Sequence, residues 1–215
     1  MRGKFLNSYW KYYLALEEDF IKSLRYVTLD TANFSSFSTE YTKQYQAICS
    51  EIDVTCKEIC GIIKIGSKPS NITQYAKIIL DDMSNITNES VTLKNYTSIS
   101  LSPWSQWKLE KDGIPYQSPS WWNSYNNVKH DRNTYFNEAN LENVLNALAG
   151  LYILEIYCYD RIEDSKGSSQ YPPYPIPRSG LFTLNNWKIN MEKLLLDELE
   201  PEIKNLIIEY MIKSL

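Results

Sequence analysis

Residues 138–160, EANLENVLNALAGLYILEIYCYD, limit what this chain can fold into more than any other stretch. Leu141, Val144, Leu145, Leu148, Leu151, Tyr152 and Ile156 recur at three- and four-residue steps, which marks a helix. Ile153, Leu154 and Tyr157 widen its apolar face. A helix apolar on most of its circumference has to be enclosed by other elements. The chain must therefore supply partner helices, and 215 residues are enough to build a core around one such helix.

The partners can be read from the same periodicity. Residues 8–27 carry Tyr9, Tyr13, Leu16, Phe20, Leu24 and Val27 on one stripe, with Ser8 as the expected N-cap. Glu17, Glu18 and Asp19 fall mid-helix and are expected to face water. A second helix is predicted over 38–63, capped by Ser38, with Glu40 in its first turn and a core stripe of Ile48, Ile52, Ile59 and Ile62. Residues 71–83 and 120–130 predict shorter helices, the latter capped by Ser120. Between them, 84–119 mixes β-branched and aromatic residues with Pro103, Pro115, Pro119 and an Asp112-Gly113 turn signal. That pattern predicts an irregular insertion with one or two short strands. The expected fold is mainly α, a helical bundle with a small irregular or β insertion.

The expected core domain spans 1–163. Residues 164–180, DSKGSSQYPPYPIPRSG, read as a Pro- and Ser-rich linker. Residues 181–215 read as a C-terminal helical appendage, in which Ile203, Leu206, Ile207, Tyr210 and Met211 form an amphipathic face. Such a face must pack on the core, on a second copy or on a partner protein.

A net charge of −4 argues against a broad basic surface for DNA or RNA, though it leaves room for a small basic pocket. No apolar run reaches the roughly 20 residues that span a bilayer, and the N-terminal stretch lacks a signal-peptide pattern. The expected location is cytoplasmic, with the four cysteines as thiols. Cys49, Cys56 and Cys60 share one helical stripe. Zinc sites draw paired cysteines from separate elements, whereas single thiols are among the most buried side chains. Core packing is therefore expected, with no metal and no cofactor. No glycine-rich phosphate loop, G-x-S-x-G or H-E-x-x-H motif is present.

The remaining candidate is Trp121-Trp-Asn-Ser-Tyr-Asn-Asn-Val-Lys-His-Asp-Arg132, which holds the chain's single histidine, His130. Asn123, Tyr125, Asn126, Asn127, Lys129, His130 and Arg132 lie within ten positions, and Asn126 and His130 share a helix face. Imidazole titrates near neutrality, which suits a proton carrier as well as a structural side chain. Glu51, at the rim of the second helix's core stripe, would join the site if that helix packs against this segment.

A polar N-x-x-K-H segment just ahead of the last helix of an apolar helical core resembles the HEPN superfamily. The same segment is similar to a set of bacterial proteins that carry YNxxKHxR before a NLENVLNAL-type helix, a likeness covering much of residues 1–160. The HEPN resemblance implies a helical, often dimeric protein. Many members are metal-independent endoribonucleases of toxin–antitoxin, CRISPR and phage-defence systems. Their motif sets an arginine, usually followed by a polar residue, a few positions before a histidine. Here His130 matches the histidine and Asn126 the polar residue, while Tyr125 stands where the arginine would be.

Metal-free RNA cleavage needs a proton carrier and a cation on the phosphate. The resemblance implies His130 as acid/base, Arg132 and Lys129 as phosphate ligands and Asn126 as an orienting group. Tyr125, Trp122 and Asn123 would contact the substrate, with bases stacked on the aromatic rings. The alternative is a non-catalytic HEPN-like scaffold that binds a partner protein or small ligand through the aromatic insertion and residues 181–215. A third class, a zinc enzyme, would require metal in the purified protein.

Overall fold

A computed structural model describes residues 2–111, 113–164, 174–185 and 187. Helix α7, Leu141–Asp164, is the central element, and every residue from 147 to 159 along it is buried. A run that long can be buried only with neighbours on all sides, as the apolar pattern requires. Its main partner is α3, Thr39–Ile63. Ile48, Ile52 and Ile59 of α3 and Leu145, Leu148 and Leu151 of α7 belong to one core, together with all four cysteines. α4, Ile72–Asp82, and α5, Ser120–His130, also pack on α3.

The first helix differs from its sequence reading. It begins at Arg2 as α1, Arg2–Phe5, passes through a π-helical turn at Leu6–Trp10, and continues as α2, Lys11–Ser23. Ser8 lies inside the π turn, so it is not an N-cap. The π turn shifts the helical phase so that Phe5, Trp10 and Tyr13 are all buried. Glu17, expected at the surface, is buried as well, whereas Glu18 and Asp19 are exposed.

Ser38 does cap α3: its hydroxyl accepts the Tyr41 amide at 3.0 Å. Asn71 caps α4 the same way through Gln74 at 3.0 Å. Replacing Ser38 with Ala is expected to destabilise the chain by about 1 kcal/mol, measurable as a shift in the urea midpoint. Ser120, by contrast, is the first residue of α5 and not its cap: Pro119 holds the N-cap position, and the Ser120 amide is met by the Gln106 side chain instead.

The insertion holds a hairpin of β1, Val91–Leu93, and β2, Tyr96–Leu101, turned through Asn95 at φ +64°. A third strand, β3, Phe182–Leu184, joins β1 antiparallel, giving the sheet order β2-β1-β3. This relocates residues 174–185, which the sequence divides between linker and appendage. Phe182 packs against Tyr152 of α7 with the rings tilted and their centroids 5.6 Å apart. Trp10 donates its indole N–H to the Pro177 carbonyl at 2.7 Å. Proline-rich chain can lie against a core in this way because its carbonyls stay available as acceptors.

Glu17 closes that attachment. Its carboxylate accepts from the Tyr13 hydroxyl at 2.6 Å, from the Gly180 amide at 2.6 Å and from the Ser179 hydroxyl. Lys94 donates to the Ser179 carbonyl at 2.6 Å. The expected amphipathic helix near 201–211 lies outside the described residues.

The aromatic insertion is inward-facing. Trp104 and Trp107 are fully buried. Trp104 donates to the Gly150 carbonyl of α7 at 3.0 Å, and Trp121 of α5 to the Pro103 carbonyl at 2.7 Å. These rings close the core, while Tyr96 and Tyr116 of the insertion are half-buried and Ile114 is exposed. Among the described residues, no helix is long and apolar enough to cross a membrane.

Candidate functional site

α5 carries most of the sequence candidates, and its own periodicity sorts them. Trp121, Trp122, Tyr125 and Val128 recur on the inner face and are buried. Tyr125 meets Tyr45 of α3 edge-on at 5.8 Å and Trp122 at 5.2 Å. Burial pushes its phenol up to about 12. The rings expected to stack bases are thus committed to packing.

The polar candidates lie outward. Lys129, His130 and Arg132 are exposed around the end of α5, and Asn126 is half-buried one turn earlier. Lys129 and His130 fall in the last turn, where cations favour the negative pole of the helix. The Lys129 ammonium stands 5.6 Å from the centre of the Tyr125 ring, the usual geometry of a cation held over an aromatic face. Among the described residues no side-chain hydrogen bond or ion pair engages Asn126, His130 or Arg132. Asn123 is exposed and accepts from the Ser118 hydroxyl at 2.6 Å.

Glu51 does not join this cluster. It lies on the side of α3 that faces α7 and the first helix, and its electrostatic neighbours are Glu155 and Tyr9. Burial raises its carboxyl. Opposing faces of one helix cannot serve one site, so Glu51 is removed from the substrate-binding set.

Side-chain bonds through Asn127, Asp131, Glu138 and Asn143 organise the α5 end. Asn127 donates to the Glu138 carboxylate at 3.0 Å, and Asn143 of α7 donates to the Glu138 carbonyl at 2.9 Å. The Asp131 carboxylate accepts the Thr134 amide at 3.3 Å, capping the short α6, Arg132–Tyr135. These bonds hold the α5–α6 corner against the start of α7. No motif announces them, because carboxamides and a lone glutamate have no signature spacing.

The most perturbed carboxyl belongs to Glu155, fully buried on α7. Burial pushes it up to about 8, against a lowering by the Thr55 hydroxyl, which donates to it at 2.7 Å. Its second oxygen has no partner among the described residues. Nearby, the Tyr9 hydroxyl donates to Glu58 at 3.0 Å. Desolvation also raises the Cys56 and Cys158 thiols well above their ordinary range, so neither is an activated nucleophile. Among the described residues, no group of three or more His, Cys, Asp and Glu is placed to hold a metal ion.

Family models, characterised proteins and solved structures yield no match to this chain.

Proposed function

We propose that the chain is a HEPN-like RNA-directed protein whose site is the exposed end of α5, and that its activity is metal-independent endoribonucleolytic cleavage. The observation that carries this reading is the Lys129 ammonium over the Tyr125 ring. Tyr125 occupies the motif's arginine position, and the cation missing from that position is supplied one turn later. Lys129 and Arg132 would neutralise a phosphate, and Asn126 would orient it. His130 would take the proton from the ribose 2′-hydroxyl as that oxygen attacks the adjacent phosphorus, then return a proton to the leaving 5′-oxygen. The products would be a 2′,3′-cyclic phosphate and a free 5′-hydroxyl. A role in a defence or toxin-type system belongs to the same resemblance.

A second reading, the non-catalytic scaffold, is favoured by a different observation. His130 has no hydrogen-bond partner to fix its tautomer or direction among the described residues, and catalytic imidazoles are normally oriented by a third group. The two readings differ in one assay. Incubated with a labelled single-stranded RNA in EDTA, the parent chain is expected to cleave. His130→Ala is expected to lose at least about 100-fold in rate, the usual contribution of a positioned acid/base. Equal cleavage by both proteins rejects His130 as the catalyst. Absence of cleavage by the folded parent selects the non-catalytic scaffold.

A further inference from the structure

Beside the seam between α5 and α7 lies a second, neutral-to-acidic recess of about 260 Å³. Loop residue Gln106, the α5 start at Ser120 and Trp121, and the first turns of α7 at Glu142, Asn143 and Asn146 line it. It falls below the roughly 300 Å³ at which drug-sized ligand sites begin. It therefore suits one planar heterocycle better than a large cofactor.

Its polar groups have their directions set by local bonds. The Gln106 carboxamide oxygen accepts the Ser120 amide at 2.8 Å, which leaves its NH₂ as donor. The NH₂ groups of Asn143 and Asn146 each give one N–H to the Glu138 and Glu142 carbonyls, at 2.9 Å, which fixes their orientation and leaves on each an acceptor oxygen and a second N–H. The Glu142 side chain is exposed and its carboxylate has no partner among the described residues. The recess thus offers carboxamide donors and acceptors of set orientation beside one carboxylate, that of Glu142. Among the described residues no cation lines it, which favours the uncharged part of a nucleotide over its phosphate.

We propose that this recess is a guanine-recognition subsite for single-stranded RNA, resting on the RNA reading given above. Among the four bases, guanine alone presents two adjacent donors, N1–H and N2–H₂, beside a carbonyl. Glu142 would accept the two donors together, as a carboxylate accepts a paired donor edge. Gln106 would donate to O6, and Asn146 would accept the remaining N2–H. Trp121, locked by its bond to Pro103, forms part of a rigid floor. The recess opens at the first turn of α5, and His130 lies at its last. Ten residues separate them, about 15 Å at the helical rise, a distance covered by a few nucleotides of extended strand. The subsite would therefore choose which phosphate reaches the basic end.

The test is fluorescence anisotropy on the full chain with a labelled uridine nonamer and with the same nonamer carrying one central guanosine. The guanosine nonamer is expected to bind about tenfold tighter, within the range one bidentate base contact supplies. Glu142→Ala and Asn146→Ala are each expected to shrink that preference without weakening the uridine nonamer. Arg132→Ala is expected to weaken both nonamers alike. Equal affinity of the parent for the two RNAs overturns the subsite, as does a preference that survives both substitutions in variants folded by circular dichroism. Failure to bind either RNA overturns the RNA reading itself, and it is distinct from binding both equally.

Discussion

Glu155→Gln is expected to be more stable than the parent at pH 9 by several kcal/mol and to lose most of the parent's alkaline sensitivity. Glu155 is fully enclosed beside Thr55, with Glu51 and Cys158 as its charged or ionisable neighbours. Its carboxyl sits at about 8 in the folded chain against an ordinary 4.5. The folded state therefore holds this proton more tightly than the unfolded state does. Below about pH 4.5 the group is neutral in both states and costs nothing. Between there and pH 8 the unfolded chain releases its proton first, so stability falls as pH rises. Above pH 8 the buried anion carries the full penalty, on the order of 4–5 kcal/mol. Gln preserves the shape and the bond from Thr55 without a proton to lose. Urea unfolding at pH 6 and pH 9 measures both points. A parent whose stability is the same at the two values would show that Glu155 is not held neutral.

Glu17→Ala is expected to cost about 3–5 kcal/mol, since it strands three neutral donors at about 1–3 kcal/mol for each one left buried and unsatisfied. The carboxylate accepts from three donors at once, Tyr13, Ser179 and Gly180. Its removal leaves those donors buried without an acceptor, which is the larger part of the cost. The effect should also be local: limited proteolysis is expected to cut the variant first around 174–185, where the segment is tied to the body by Glu17, Lys94 and the Trp10 indole. Glu17→Gln, which keeps one acceptor oxygen, is expected to lose less. A variant that melts like the parent and is cut no faster there would remove Glu17 from this role.

Glu17 also shows where sequence legibility stops. Helices α3 and α5 are visible in the spacing of their apolar residues because each packs along one continuous face, and α7 is visible because it is apolar nearly all round, being enclosed on all sides. Ser38 is legible for the same local reason, since a cap bonds only three residues away. The tyrosine and tryptophan positions of α5 are legible as a stripe, but their burial is not: Trp122 and Tyr125 look equally suited to stacking bases until Tyr45 is placed against them. Glu17 resembles its exposed neighbours Glu18 and Asp19 because two of its three partners, Ser179 and Gly180, lie more than 160 residues away. The strand Phe182–Leu184 is hidden for the same cause. Three residues carry little periodicity, and the partner that makes them a strand is Val91–Leu93. Glu51 marks the opposite limit: its place at the rim of the core stripe is legible, but whether a rim faces α5 or α7 depends on packing angle, which no local pattern encodes.

The β2-β1-β3 order has a consequence for the order of synthesis. Strand β1 can pair with β2 as soon as the hairpin emerges from the ribosome, yet its other edge stays open until Phe182–Leu184 has been made. The Glu17 carboxylate waits longer still, because Ser179 follows it by 162 residues. At about 5–20 residues per second this interval is on the order of ten to thirty seconds. During that time the nascent chain carries an unpaired strand edge and a carboxylate lacking its final partners. That window is the period in which a holding chaperone would gain most access, and a chain stalled or cut before residue 180 would never leave it.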